Sequence, residues 1–211
     1  MNNTENKDFS KYKDLGLSGL GNLGNTCFLN STIQCISHTY ELNEIFDNDH
    51  SNKMKNKKPN DLVVYKEWNG LRKLMWSTNC KISPKRFVSA IHGIARIKDR
   101  PLFTGFAQND LPEFLMFFMD EIHNAFKRSV KMNITGQEEN GKDKLAKSCY
   151  KTLEMLYSKE YSEIINLFYG MHVSQISNIV TNKVLAQNPE PFFMITLPIP
   201  NSKTLSIYDC F

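Results

Sequence analysis

A short glycine- and asparagine-rich segment that runs directly into a cysteine is the part of the sequence best suited to chemistry. The stretch from Gly19 to Ile36 reads GLGNLGNTCFLNSTIQCI, and Cys27 stands where the glycines and asparagines end. After Cys27, apolar residues such as Leu29 and Ile33 recur at helical spacing. The positive end of a helix dipole favours a thiolate over a thiol, and the thiolate is the nucleophile. The spacing therefore predicts a nucleophilic cysteine at a loop-to-helix junction.

Two other interpretations fit the same segment. Residues 19–24 satisfy G-x-G-x-x-G, the fingerprint of dinucleotide binding, but that fingerprint needs a preceding strand, and the preceding KDFSKYKDLGLS is charged. We therefore interpret the match as accidental. Alternatively, Cys27 is a buried structural residue, because free cysteine packs as a small hydrophobe. For a cysteine taken without further context, burial is the commoner outcome.

The segment resembles the cysteine box of the ubiquitin-specific proteases, the papain-like deubiquitinases, which reads G-L-x-N-L-G-N-T-C-[YF]-x-N-S-x-x-Q. The matching positions are Gly19-Leu20, Asn22-Leu23-Gly24-Asn25-Thr26-Cys27-Phe28, Asn30-Ser31 and Gln34. The resemblance implies that Cys27 is the nucleophile and that the side-chain amide of Asn22 donates to the oxyanion. Acyl transfer needs donors aimed at the developing negative charge, and the backbone N–H of Cys27 would supply a second one.

A second segment, QNDLPEFL from Gln108 to Leu115, resembles the family signature Q-Q-D-A-H-E-F-L. It differs from that signature at Asn109, Leu111 and Pro112. In the family, the Asp and Glu of this signature face arginines in the C-terminal tail of ubiquitin. The resemblance therefore implies a tail-binding site at Gln108, Asp110 and Glu113. Asp110 also fits a helix N-cap with Glu113 at the third helical position, and one carboxylate can fill both roles.

Composition narrows the class of protein. The chain has 211 residues, enough for one domain, and a small net charge of +4. The basic run over 53–58 lacks aromatic neighbours and is interpreted as a solvated loop, so no nucleic-acid partner is expected. No apolar run reaches transmembrane length and the N-terminus is polar, so neither a membrane partner nor secretion is expected. Five cysteines without a C-x-x-C pair indicate a reducing compartment. We expect an intracellular protein, cytoplasmic or nuclear, without a cofactor.

The elements that must position these residues are predicted from periodicity. Helices are predicted from Cys27 to about Phe46, over 62–76, from Ser83-Pro84 with Ser83 as N-cap, from the Gln108 segment onward as the most apolar helix, and over about 148–168. Loops are predicted over 47–60 and 131–147. Short strands are predicted over 173–180, and Phe192–Leu197 is predicted to be a buried strand ended by Pro198.

The resemblance implies an α+β fold: a papain-like cysteine protease with a helical thumb followed by the start of the β fingers, as an incomplete domain. Residues 1–18 would be a polar lead-in and 19–211 the N-terminal part of the catalytic domain. Many family members carry a C-x-x-C zinc site in the fingers, but residues 174–182 contain no cysteine, so no metal is expected.

The resemblance implies a deubiquitinase that hydrolyses the isopeptide bond at the C-terminal glycine of ubiquitin, with ubiquitin or ubiquitinated proteins as partners. The family's catalytic histidine lies far downstream in a G-H-Y-like motif. None of the five histidines here, His38, His50, His92, His123 and His172, lies in such a motif. The base is therefore expected outside this chain. The alternative is a catalytically inactive module that binds ubiquitin.

Overall fold

The computed structural model of the protein describes residues 8–201 and 206–210. The chain forms two compact units. The first contains Lys127, the residues before it, and Ser162–Leu167; the second contains Arg128–Tyr161 and the residues from Phe168 onward. Part of the predicted lead-in, residues 1–7, lies outside the described residues, as does residue 211.

Helices dominate the described part of the chain. They are α1 Cys27–Ser37, α2 Tyr40–Asp47, α3 Ser51–Met54, α4 Pro59–Ser77, α5 Lys85–Ile97, α6 Leu111–Phe126, α7 Gly141–Glu160 and α8 Glu163–Phe168. Two short parallel strands, β1 Gly19–Leu20 and β2 Lys81–Ile82, pair in the first unit. No helix in the described ranges is long and apolar enough to cross a membrane.

The core of the first unit lies where α4, α5 and α6 meet. The ring of Trp68 contacts those of Phe87 and Phe118 at centroid distances of 6.2 and 5.6 Å, and all three side chains are fully buried. The helix predicted over 62–76 is confirmed as α4. The apolar stripe predicted along α6 is also confirmed, because Phe114, Phe118, Ile122 and Phe126 are all buried.

The helix predicted from Cys27 to Phe46 is wrong in one respect, since it breaks into α1 and α2 at His38–Thr39. The backbone N–H of Thr39 bonds to the carbonyl three residues earlier, a tightened turn that ends α1. The carbonyl of Ser37 instead accepts a hydrogen bond from the side chain of Asn43 at 2.7 Å. Both residues are fully buried, so this bond fixes the angle between the two helices.

The loop predicted over 47–60 is also partly wrong, because it contains α3 and a buried histidine. The ring of His50 packs edge-on against Phe126 at a centroid distance of 4.9 Å, and its Nε2 bonds to the carbonyl of Ile45. His50 is only 6 % exposed, although its neighbours in the sequence are polar. An aromatic surface on α6 therefore draws this ring into the core.

Three other helix boundaries differ from prediction. Pro84, not Ser83, occupies the N-cap position of α5, and no side chain caps that helix. The loop predicted to reach residue 147 ends at Asn140, because the Asn140 and Asp143 side chains form a reciprocal capping box that starts α7. The helix predicted over 148–168 is interrupted at Tyr161, whose carbonyl accepts a hydrogen bond from the backbone N–H of Arg128 at 2.8 Å.

The second unit combines α7 with an antiparallel hairpin of β3 Gly170–Ser177 and β4 Val184–Phe192. The strand predicted over 173–180 is confirmed up to Ser177, but Ile179 and Val180 lie in the turn that follows β3 and are exposed. The predicted buried strand over Phe192–Leu197 is wrong. Phe192 pairs with Gly170, the first residue of β3, so the ladder ends there. Residues beyond Phe192 pair with no described strand, and Met194 and Ile195 are more than two-fifths exposed.

One partly buried ion pair connects α5 and α6 in the first unit. The Nζ of Lys98, at the end of α5, bonds to both carboxylate oxygens of Glu121 on α6 at 2.9 and 2.7 Å. Burial raises the pKa of the Glu121 carboxyl, and the hydrogen bonds from Lys98 oppose that rise without cancelling it. Relative to its protonated form, the ionised carboxylate of Glu121 is therefore less favourable in the folded protein than in the unfolded chain.

This raised pKa predicts a pH dependence of folding stability. The native state holds the Glu121 proton more tightly than the unfolded state, so the contribution of Glu121 declines as pH rises from about 4.3, the ordinary carboxyl value, through the folded pKa. The melting temperature of Glu121→Gln minus that of the parent protein should therefore increase from pH 4 to pH 7. Glu113→Gln, which removes an exposed carboxylate from the same helix, is the control. A difference that falls with pH for Glu121→Gln would contradict the assignment.

Candidate active site

Cys27 is the first residue of α1, and its thiol is exposed. The predicted loop-to-helix junction is confirmed, and the alternative of a buried structural cysteine is wrong. Two residues just before it have positive φ angles, +102° at Gly24 and +52° at Asn25. The first suits glycine, and asparagine tolerates the second better than most residues. These angles turn the chain sharply from the loop into the helix.

Asn22 organises the loop through the oxygen of its side chain. Its Oδ1 accepts hydrogen bonds from the N–H of Gly24 at 3.0 Å, the N–H of Thr26 at 3.2 Å and the Thr26 hydroxyl at 3.1 Å. Three donors around one atom fix which end of the amide is oxygen. The Nδ2 group has no hydrogen-bond partner among the described residues, and the side chain is exposed. Asn22 therefore presents a free donor at the surface of this loop.

Two further amides of the motif hold the backbone that leads into this loop. Asn30 Nδ2 donates to the carbonyl of Gly21 at 3.2 Å, and Gln34 Nε2 donates to the carbonyl of Ser18 at 2.8 Å. Both residues lie on α1, on the side that faces β1. Both residues match the family motif, but the sequence alone predicts no role for them. Their spacing from Cys27, near one and two helical turns, is the signal that would have indicated a shared face.

The two short strands anchor the same segment to the rest of the first unit. Gly19 N–H donates to the carbonyl of Cys80 at 3.0 Å, and Gly21 N–H donates to the carbonyl of Ile82 at 2.8 Å. The side chain of a larger residue at position 21 would lie 3.5 Å from the Ile82 carbonyl. The cysteine loop, defined here as residues 19–26, is thus bound at its start by backbone bonds and along its length by side-chain amides.

The predicted tail-binding residues lie at the start of α6. Asp110 is the N-cap, and its Oδ1 accepts a hydrogen bond from the backbone N–H of Glu113 at 3.3 Å, so the predicted capping role is confirmed. Gln108, Asp110 and Glu113 are all exposed. The cap uses one oxygen of Asp110 and leaves the second carboxylate oxygen open to a ligand.

Packing of α1 on α6 brings the two predicted groups of residues into one region. The rings of Phe28 and Phe114 meet edge-on at a centroid distance of 5.3 Å. Phe28 follows Cys27 directly, and Phe114 follows Glu113 directly. The predicted nucleophile and the predicted tail-binding carboxylates are therefore carried by adjoining helix starts.

No histidine makes a hydrogen bond with the Cys27 thiol within the described residues, which include all five histidines. The Nδ1 of His38 bonds to the carbonyl of Gln34 at 2.8 Å, and the Nδ1 of His123 bonds to the Ser162 hydroxyl at 2.7 Å. The Nε2 of His172 lies 3.2 Å from a carboxylate oxygen of Glu190. These contacts agree with the prediction that none of the three is the base.

His50 and His92 are also engaged elsewhere. His50 is buried against α6, as described above. His92 packs edge-on against Phe106 at a centroid distance of 5.1 Å. Burial lowers the pKa of His92, and the positive charge of Arg96 adds to that effect. The site thus has a thiol, an amide donor and carboxylates, but the described residues bring no base to the thiol.

Sequence comparisons agree with this geometry. Residues 18–206 match the family described as "Ubiquitin carboxyl-terminal hydrolase". Similar curated proteins include ubiquitin carboxyl-terminal hydrolase 15 of Homo sapiens, 33% identical over 201 residues, and Usp2 of Drosophila melanogaster, 31% identical over 199 residues. The aligned parts cover 92% and 94% of this chain, but only 20% of each relative. The chain therefore spans about a fifth of these relatives' length.

Structural comparison supports the fold. Chains of the SAGA Ubp8/Sgf11/Sus1/Sgf73 DUB module match with TM-scores of 0.61 for a complex with monoubiquitin and 0.59 for a complex with ubiquitin aldehyde. Sequence identity is 22% and 23%, and each match covers 96% of this chain and 39% of the other. The predicted α+β class of the protease domain is confirmed. With a family match over nearly its whole length, the chain belongs to the ubiquitin carboxyl-terminal hydrolase family, the ubiquitin-specific proteases.

Proposed function

We propose that this protein acts in thiol-dependent hydrolysis of the isopeptide bond at the C-terminal glycine of ubiquitin. One observation carries the proposal: Asn22 uses its side-chain oxygen to shape the cysteine loop and leaves its Nδ2 donor free in the loop that leads into Cys27. Cys27 attacks the carbonyl carbon, and the oxyanion takes hydrogen bonds from Asn22 Nδ2 and the backbone N–H of Cys27. The thiol proton passes to a base outside the described residues and then to the amine, which leaves as the C–N bond breaks. Water then hydrolyses the resulting thioester and frees Cys27.

Ubiquitin is the proposed partner, either free or attached to other proteins. The exposed carboxylates of Asp110 and Glu113 bind the arginines of its C-terminal tail, and Gln108 binds beside them. The family match and the ubiquitin complexes of the structurally similar chains support this assignment. Residues 1–18 are proposed as a lead-in and 19–211 as part of the catalytic domain. An intracellular location is supported by the five free cysteines.

A second candidate function is a ubiquitin-binding module without catalysis. The observation that favours it is that every histidine has partners other than the Cys27 thiol. The two functions differ in one measurement on a form of the protein supplied with the base, because only the first gives turnover of a fluorogenic ubiquitin substrate that is lost in Cys27→Ala. Binding of ubiquitin without turnover would establish the second.

Cys27 should be the thiol that reacts with a ubiquitin probe bearing a C-terminal electrophile. Cys35 and Cys80 are also exposed, so exposure alone does not select among the three. Selection should arise from the helix start and from tail binding at α6, which places the electrophile at Cys27. Mass spectrometry of the adduct tests this, with Cys35→Ser as the control that keeps full labelling. An adduct mapped to Cys35 or Cys80 would refute the assignment.

Asn22 should act on the rate and not on ubiquitin binding. Asn22→Asp keeps the oxygen that accepts the three loop hydrogen bonds but removes the Nδ2 donor, so the melting temperature should change little. Its kcat should fall by about 10²–10³-fold, measured in a form of the protein that turns over a ubiquitin substrate. Asn22→Ala, the comparison variant, should lose both rate and stability. If Asn22→Asp keeps the parent rate, Asn22 only shapes the loop.

Asp110 should separate binding from capping. Asp110→Ser keeps an N-cap oxygen and removes the charge, so it should weaken ubiquitin binding while preserving stability. Asp110→Ala should weaken ubiquitin binding and should also lower the free energy of unfolding by about 1 kcal/mol. The loss of affinity on Glu113→Lys should shrink when the matching arginine of the ubiquitin tail is replaced by glutamate. Absence of such coupling, together with unchanged binding by Asp110→Ser, would leave these residues a structural role only.

A further inference from the structure

The cysteine loop makes a side-chain hydrogen bond to a loop far along the sequence. The Nδ2 of Asn25 donates to the carbonyl of Phe106 at 3.0 Å. The Phe106 ring also lies against the same loop, since a Cβ on Gly24 would be 3.9 Å from its nearest atom. Residues 104–109 lead directly into α6 and are called the entry loop here. Asn25 therefore links the nucleophile's loop to the segment that precedes the tail-binding carboxylates.

Side chains of α5 also contact the entry loop, from another side. The Nη2 of Arg96 donates to the carbonyl of Thr104 at 3.0 Å, and the ring of His92 packs edge-on against that of Phe106. His92 and Arg96 are one helical turn apart on α5, whose Phe87 is part of the buried core. The carbonyls of two residues in the entry loop, Thr104 and Phe106, thus accept hydrogen bonds from side chains, and the second of these bonds comes from Asn25.

We propose that Asn25 is a positioning residue for the reaction at Cys27, acting by tying the cysteine loop to the Phe106 carbonyl. This inference rests on the proposed function. Asn25 adjoins Thr26, whose N–H and hydroxyl both bond to the Oδ1 of Asn22. The bond to Phe106 therefore fixes the orientation of the Asn22 donor relative to the thiol. Small displacements of such groups slow a reaction strongly while leaving remote binding contacts intact.

A different explanation for Asn25 is its backbone conformation alone. Its φ of +52° lies in the left-handed region, where asparagine and glycine are favoured whatever their side chains contact. Asn182, in the turn between β3 and β4, has nearly the same φ, +53°. If backbone conformation alone explains Asn25, replacing either asparagine by glycine should have the same effect. Glycine accepts this conformation more easily than asparagine does, so Asn25→Gly removes the hydrogen bond without straining the backbone.

The test measures inactivation by a ubiquitin probe with a C-terminal electrophile, separating the maximal rate of Cys27 modification from the probe concentration at half-maximal rate. In Asn25→Gly, the maximal rate should fall by about 10–100-fold, while half-saturation and melting temperature stay near the parent values. Asn182→Gly, the matched control, should leave all three unchanged. A purely structural role would instead lower the melting temperature, and an unchanged maximal rate in Asn25→Gly would overturn the proposal.

Failure of the proposed function would look different. If the probe does not modify the parent protein at Cys27, that function is refuted. Positioning by Asn25 is then measured with iodoacetamide, from the alkylation rate of Cys27 relative to Cys35 in the same chain. A loosened helix start gives a less reactive thiol, so Asn25→Gly should lower this ratio several-fold. An unchanged ratio would overturn the positioning role.

Discussion

Side-chain amides supply the hydrogen bonds on which the cysteine loop depends. Strand β1 at its start has only two residues, so regular pairing reaches little of the backbone. Asn22 accepts hydrogen bonds from two N–H groups inside the loop. Asn30 and Gln34 donate to carbonyls within it or just before it, and Asn25 donates to the carbonyl of Phe106. An ionised carboxylate cannot replace the three donating amides, because it has no proton to donate. The density of asparagine before Cys27 thus serves backbone geometry as well as chemistry.

The aromatic core beneath the site limits how far the two helix starts can move. Phe114 packs against Phe28 of α1 and against Phe118 within α6, and Phe118 contacts Trp68. Each such contact contributes about 0.5–1.5 kcal/mol beyond the burial of its area. Because close-packed interiors transmit displacements, the thiol and the carboxylates share one rigid support. Polar bonds then make the fine adjustment at the surface.

Local patterns made part of this structure predictable. The helix start at Cys27, the cap at Asp110 and helix α4 follow from spacing and capping over short stretches of chain. The start of α7 was readable too, since Asn140 and Asp143 form a capping box within four residues, but Gly141 was interpreted as part of a loop. The family resemblance supplied the site residues, and the structure places them on adjoining helix starts.

Other features depend on partners remote in sequence and had no local signal. His50 is buried because Phe126 of α6 lies against it, and the loop pattern around it is polar. The break after α1 depends on a bond between two buried residues, Ser37 and Asn43. The bond of Asn25 ends on the carbonyl of Phe106, and a backbone carbonyl leaves no mark on the sequence. The apolar run after Phe192 resembled a strand, but a strand forms only where the ladder continues.

The path of the chain between its two units restricts how the protein can be dissected. The first unit is not one continuous stretch, because Ser162–Leu167 returns to it after the chain has built α7. Ser162 bonds to His123 and caps the turn through the N–H of Ile165, and Glu163 pairs with Lys53 at 2.8 Å. A recombinant fragment that stops at Lys127 would lack these contacts and expose the surface that Ile164 and Ile165 cover. A fragment that contains only the first unit therefore needs a linker in place of Arg128–Tyr161 and must keep Ser162–Leu167.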